Sequence, residues 1–285
     1  MLRLIEDAEF DRCVDFAYEL ALDPARSGYP TYCDGMKTRE DFICRTKLSL
    51  ERPYEDVLLF LVDEVVEGFI AFEHLEKDRY IYTYVFNIRR DTGAALAEFV
   101  EYCRERWPGF TLDLGFPAEN VDALNWLERT GVPCTERSWN FLLDLERYQP
   151  LPPPSGVERI TADNFEAFAA IHRQIQGEMY WNCDRVRDTM DRWDIFITEE
   201  GSAAGEVLMT SDEDPHQEIF ALDFTDRQYH AEPFRALLTA ALNSLKEKGG
   251  RWLTSFANEG DPGGEVLKEL GFRLIGTYVG HRLTL

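Results

Sequence analysis

"RRDTGAALAEFVEYC", Arg89 to Cys103, sets two arginines and a Thr-Gly pair directly ahead of a helix whose Leu96, Phe99, Val100 and Cys103 share one face. The first amides of a helix have no intrahelical acceptor, and the helix dipole leaves partial positive charge there. Gly93 and Ala95 lack bulk, so backbone N–H groups can approach a diphosphate closely. Arg89 or Arg90 adds local positive charge in a chain whose formal net charge is −23. The same string also reads as a surface helix capped by Asp91 or Thr92, with solvated arginines.

Outward from this helix the chain states one order twice. LRLI and VERI open the two halves as short strands. An amphipathic helix follows in each, from about Glu9 to Leu22 and from about Asn164 to Ile175. Second helices start at the caps Thr38 and Asn182. Strand-like runs come next: DVLLFLVDE, EGFIAFEHL and YIYTYVFNI, then DIFITEE, AGEVLMT and EIFALDF. Each half then has a longer helix, a strand, an asparagine (Asn120, Asn258), a short helix and a last strand. The Pro-rich stretch between them supplies few amide donors and reads as a semi-rigid spacer. We therefore expect domains at 1–147 and 157–285 joined by a linker at 148–156.

Composition bounds the possibilities. Hydrophobic residues make up 45% of the 285, enough for buried cores. No apolar run approaches the roughly 18 residues that cross a bilayer, and MLRLIEDAEFDR carries acids where a signal peptide needs an apolar stretch. The expectation is a cytoplasmic protein with no membrane partner. So acidic a chain also disfavours nucleic acid. The six cysteines show no C-x-x-C spacing and the five histidines no ligand spacing, so no metal site is expected. No G-x-S-x-G elbow or P-loop occurs.

The order of elements resembles the GNAT N-acetyltransferase superfamily, in two tandem copies laid out as in mycothiol synthases. That resemblance implies an α/β fold: two GNAT-like domains, each a mixed, mostly antiparallel central sheet flanked by helices. Arg90-Asp91-Thr92-Gly93-Ala94-Ala95 fits the family's Q/R-x-x-G-x-G/A, and Asn120-x-x-Ala123 fits its N-x-x-A. By the resemblance, acetyl-CoA or another acyl-CoA binds the first half through Val85, Phe86, Asn87, Arg89, Arg90, Asp91, Thr92, Gly93, Ala94, Ala95 and Asn120. Asn120 equally reads as a helix cap. The second half offers only Gln228-x-x-Ala231-x-Pro233, with His230 and Glu232 intruding, and reads as degenerate.

The catalytic groups are harder to place. Family members commonly carry a glutamate on the fourth strand and a tyrosine in the fourth helix. The matching positions are Arg79, and Leu127 or Leu267, so both groups are absent. Glu73, Tyr82 and Tyr84 are left as catalytic candidates, the tyrosines also reading as a packed aromatic face. Glu218 and Asp223 could relay a proton in the second half in the same way, and also read as ordinary surface acids. In the long loop SGYPTYCDGMKT, Tyr29 and Tyr32 with Asp34 suit a cationic acceptor. The function expected is acyl transfer to a small-molecule amine or basic peptide through the first half, by a monomer or homodimer. Two alternatives stand: an enzyme active through the second half, and a non-catalytic ligand- or partner-binding protein.

Overall fold

The computed structural model describes residues 1–177, 179–200, 203–211 and 216–285. The chain folds as two compact units. One comprises Met1–Ser138 with Gly276–Leu285, the other Trp139–Ile275.

The first unit contains β1 (Leu2–Leu4), α1 (Asp7–Ala21), α2 (Arg39–Leu48), β2 (Glu55–Val62), β3 (Val65–Leu75), β4 (Tyr80–Ile88), α3 (Thr92–Arg106), β5 (Thr111–Pro117), α4 (Val121–Arg129) and the start of β6 (Cys134–Asp144). Phe10, Cys13, Val14, Ala17 and Ala21 recur at helical spacing, which is why α1 lies on one face of the sheet with α2. Thr38 caps α2, its side chain accepting from the Asp41 amide while Asp41 returns a bond to the Thr38 amide at 2.7 Å. α3 and α4 cover the opposite face through Leu96, Phe99, Cys103, Ala123 and Leu127. β1 to β4 pair antiparallel in sequence, and β4 meets β5 in parallel.

The second unit repeats the order with β7 (Val157–Arg159), α5 (Phe165–Ile175), α6 (Cys183–Asp188), β8 (Trp193–Glu200), β9 (Ala203–Thr210), β10 (His216–Phe224), α7 (Ala231–Glu247), β11 (Trp252–Asn258), α8 (Gly263–Glu269) and β12 (Arg273–Thr284). Asn182 caps α6 by accepting from the Arg185 amide at 3.1 Å. β7 to β10 are antiparallel neighbours and β10 meets β11 in parallel.

Two details differ from the linear reading. The units are not contiguous halves, because Tyr278–Thr284 of β12 pair antiparallel with Thr111–Pro117 of β5. The last strand of the chain thus completes the sheet of the first unit, while Trp139 onwards joins the second. A strand goes where its ladder is satisfied, and sequence order does not specify that. The repeat register also differs. Both fourth strands carry a bulge, leaving Tyr84 and Phe220 unpaired with the third strand. Both following loops place one residue in the left-handed region, Asp91 at φ 61° and Arg227 at φ 59°. The bulges and the left-handed residues are each 136 positions apart (220 − 84, 227 − 91), whereas the starts of α3 and α7 are 139 apart (231 − 92), so the second loop is longer ahead of its helix.

Candidate functional site

In the first unit β4 and β5 pair only where Tyr80–Tyr82 meet Thr111–Asp113. Beyond that the strands part, leaving a wedge between the ends of β4 and β5. The chain fills this wedge itself. The Ile88 amide of β4 donates to the Arg26 carbonyl, and the Tyr29 amide donates to the Gly115 carbonyl of β5, both at 2.9 Å. Asn120 donates its side-chain N–H to the Ser27 carbonyl, also at 2.9 Å, while capping α4 by accepting from the Ala123 amide. Ser27 is wholly buried. A Cβ on Gly28 would lie 2.8 Å from that of Phe86. The long segment between α1 and α2 therefore enters as a bridge between the two strands.

This arrangement determines where the expected cofactor residues sit. Val85, Phe86 and Asn87 are buried, and the Asn87 amide group donates to the Ala17 carbonyl at 2.9 Å. Arg89 and Arg90 both contact the buried carboxylate of Glu67, at 2.8 and 3.1 Å, so their charge is largely neutralised locally. Asp91 is the N-cap of α3 through its backbone alone, its carbonyl accepting from Ala94 and Ala95. Thr92 is buried, and Gly93 lies against Trp126, which a Cβ would approach to 3.1 Å.

The expected acceptor and catalytic residues are also engaged within the unit. Tyr32 is core, edge-on to Phe42 at 5.1 Å, and burial pushes its phenol up to about 12. Asp34 accepts from the Met36 amide at 2.9 Å, and the Tyr29 ring packs on Tyr278 at 5.0 Å. Tyr82 donates to Glu73 at 2.5 Å, so these two candidates meet. Tyr84 does not join them. Its hydroxyl contacts Ser49 and donates to Glu55 at 2.9 Å, within a cluster that includes Arg45 and Arg52. Burial raises the pKa of both phenols.

The second unit differs at each of these points. β10 and β11 pair from His216–Ile219 to Trp252–Ser255 and then part. Here the residues at the strand ends are partly or fully exposed. Phe220 at the bulge is 41% exposed, Leu222, Asp223, Phe256 and Ala257 are partly exposed, and Asn258 is exposed. The segment between α5 and α6 is shorter than its counterpart, residues 176–182 against 22–38. The loop ahead of α7 holds a hydrogen bond between His230 Nε2 and the Asp226 carboxylate at 2.9 Å, and Glu232 lies in the first helical turn.

On the α5 side of this wedge is a group of ionisable residues of which sequence reading singled out only Asp223. His172 and Glu206 are both fully buried, with Nδ1 and Oε1 2.5 Å apart. His172 Nε2 lies 2.8 Å from the Trp181 carbonyl oxygen. That oxygen can only accept, so Nε2 carries hydrogen and one proton is shared between Nδ1 and Oε1. Burial opposes charge on His172, but the hydrogen bond that its Nδ1–H donates to the Glu206 carboxylate outweighs it and raises the imidazole pKa. Burial raises that of Glu206. Asp223 is the register partner of Glu206 across β9 and β10, and burial raises its pKa too, making it a partly enclosed acid rather than a simple surface one. The legible signal was Glu206 itself, a charge inside the apolar run of β9.

Each unit thus has four antiparallel strands, a bulge in the fourth, a parallel fifth and a wedge between the last two. That is the architecture of the GCN5-related N-acetyltransferases, and this chain has that fold in a two-unit layout. A GCN5-related N-acetyltransferase from Sphaerobacter thermophilus matches with a TM-score of 0.65 at 15% identity, covering 100% of this chain and 95% of its own. A tandem GNAT protein from the clavulanic acid biosynthesis pathway matches at 0.54 and 15%, covering 100% and 98%. A GCN5-related N-acetyltransferase from Kribbella flavida matches with a TM-score of 0.52 at 14% identity, covering 76% of this chain and 88% of its own. No protein-family model and no curated protein matches the sequence. At these identities the likeness is one of fold.

Proposed function

We propose that the protein is an acyl-CoA-dependent N-acyltransferase whose cofactor, acetyl-CoA or a related thioester, binds the second unit. The observation that carries this reading is the contrast between the wedges. The first is occupied by Arg26–Tyr29, and the second has partly exposed strand ends. An extended pantetheine arm makes the same demand on strand edges that a peptide does, and the partly exposed second wedge suits it better than the bridged first. At the bulge, Phe220 stands outside the β9 register, so its amide is placed to donate to the carbonyl oxygen of a thioester as negative charge develops there. The amine nitrogen, once deprotonated, attacks that carbonyl carbon. The C–S bond breaks, the thiolate leaves and takes up a proton, and the amide product remains. The first unit then serves as a structural partner.

A second reading rests on the head of α7. Asp226 and Glu232 lie at the head of α7, where a diphosphate would meet negative charge, and residues 225–231 include no glycine. On that reading the fold is kept for ligand or partner binding without a cofactor.

Calorimetric titration of acetyl-CoA into the wild type, Arg90→Glu and His230→Glu separates these. The proposal expects one site, unchanged by Arg90→Glu and weakened about tenfold or more by His230→Glu. A site lost only in Arg90→Glu returns the cofactor to the first unit. No binding leaves the second reading.

A further inference from the structure

We infer that the α5 face of the second wedge is a recognition site for a primary ammonium carried on a flat apolar body, anchored by Asp223. This deepens the proposed function by naming the acceptor class, and rests on it only for the claim that the bound amine is acylated.

Two polar observations carry it. Glu206 Oε2 is buried and has no hydrogen-bond partner among the described residues. An acceptor buried without a donor is costly, and native sites that keep one commonly hold it for a ligand, ion or water. Beside it, the partly exposed Asp223 carboxylate has no hydrogen bond or ion pair among the described residues. Its charge neighbours are Arg227, Asp261 and His172. The single proton shared by His172 and Glu206 cannot satisfy both carboxylates. An ammonium brings three donors and a positive charge, matching that deficit.

The aromatic surroundings define the body of the ligand. Trp181 links the two parts of the site: its carbonyl meets His172, and its ring lies edge-on to Phe220 at 6.1 Å. Tyr180 packs edge-on against Trp181, with 5.1 Å between ring centroids. Phe220 and Asp223 stand three residues apart on one strand, about 10 Å along it. An aryl-alkyl amine reaches across that interval, its ring against Phe220 and Trp181 and its nitrogen at Asp223.

The test uses 2-phenylethylamine as probe, with 2-phenylethanol as its uncharged counterpart, titrated into the full-length protein by calorimetry. Saturable 1:1 binding of the amine is expected, weaker by about tenfold or more in Asp223→Asn, with the alcohol weaker by a similar factor on the wild type. Absence of saturable amine binding overturns the inference. So does equal binding of the alcohol, a comparison that needs no variant, or an unchanged affinity in folded Asp223→Asn. Amine binding without acetyl-CoA binding keeps this site and removes acyl transfer. Acetyl-CoA binding without amine binding does the reverse.

Discussion

Asn120 donates its side-chain N–H to the Ser27 carbonyl across 2.9 Å. The asparagine that the sequence pattern offers to a cofactor arm is spent on the chain's own backbone, and the same segment bridges β4 and β5. The first unit keeps the R-x-x-G-x-A string ahead of α3, and the chain itself bridges the wedge beside it.

The bridge depends on Gly28. A side chain there meets the Cβ of Phe86 at 2.8 Å and its backbone nitrogen at 3.2 Å. Gly28→Val is expected to cost about 2 kcal/mol through overpacking, read as a lower urea midpoint. Acetyl-CoA affinity should not change, since the proposed site lies in the other unit. Unaltered stability would show that the segment yields easily.

Glu55 governs acid stability of the first unit. Burial disfavours its charge, but hydrogen bonds from Arg45, Arg52, Ser49 and Tyr84 outweigh this and hold the carboxyl at about 2. A depressed folded value stabilises above the ordinary carboxylate pKa and is lost as pH falls through the folded one. Between about pH 4.5 and 2 the loss should approach about 3 kcal/mol. Glu55→Gln should remove that part of the acid dependence in pH-resolved unfolding, at lower stability near neutrality.

The His172–Glu206 pair makes a different prediction. His172→Ala leaves Glu206 buried without its partner and should cost about 3 kcal/mol. His172→Ala with Glu206→Leu should recover most of this in urea unfolding, because an uncharged pair leaves no stranded carboxylate. If both variants are equally unstable, packing around Phe168, which stacks on the His172 ring at 4.7 Å, matters more than charge.

The exchange of the last strand can be tested by truncation. Removing residues 276–285 takes away the partner of β5 together with Leu283 and Leu285, which pack on the first unit's core. Hydrogen exchange should then show lost protection in β4 and β5, with β8 to β10 largely retained. Loss centred on β8 to β10 would contradict the partition.

Much of the fold was legible because its signals are local. Helical spacing identified α1, α3 and α7, apolar runs marked the strands, and Thr38 and Asn182 capped their helices as the side-chain chemistry requires. The tandem order followed from these elements alone. What the sequence could not contain was where backbone groups far apart in the chain satisfy one another. A ten-residue excess of loop looks the same whether it walls a pocket or fills one; only the bonds from Ile88 and Tyr29 decide that it fills the first wedge. Likewise Glu206, Asp223 and His172 come from three separate elements, and only strand register and helix packing bring them to one face. Local pattern determined the elements and their order. Long-range hydrogen bonding and burial decided which of two similar wedges the chain bridges, because both depend on neighbours that sequence spacing does not specify.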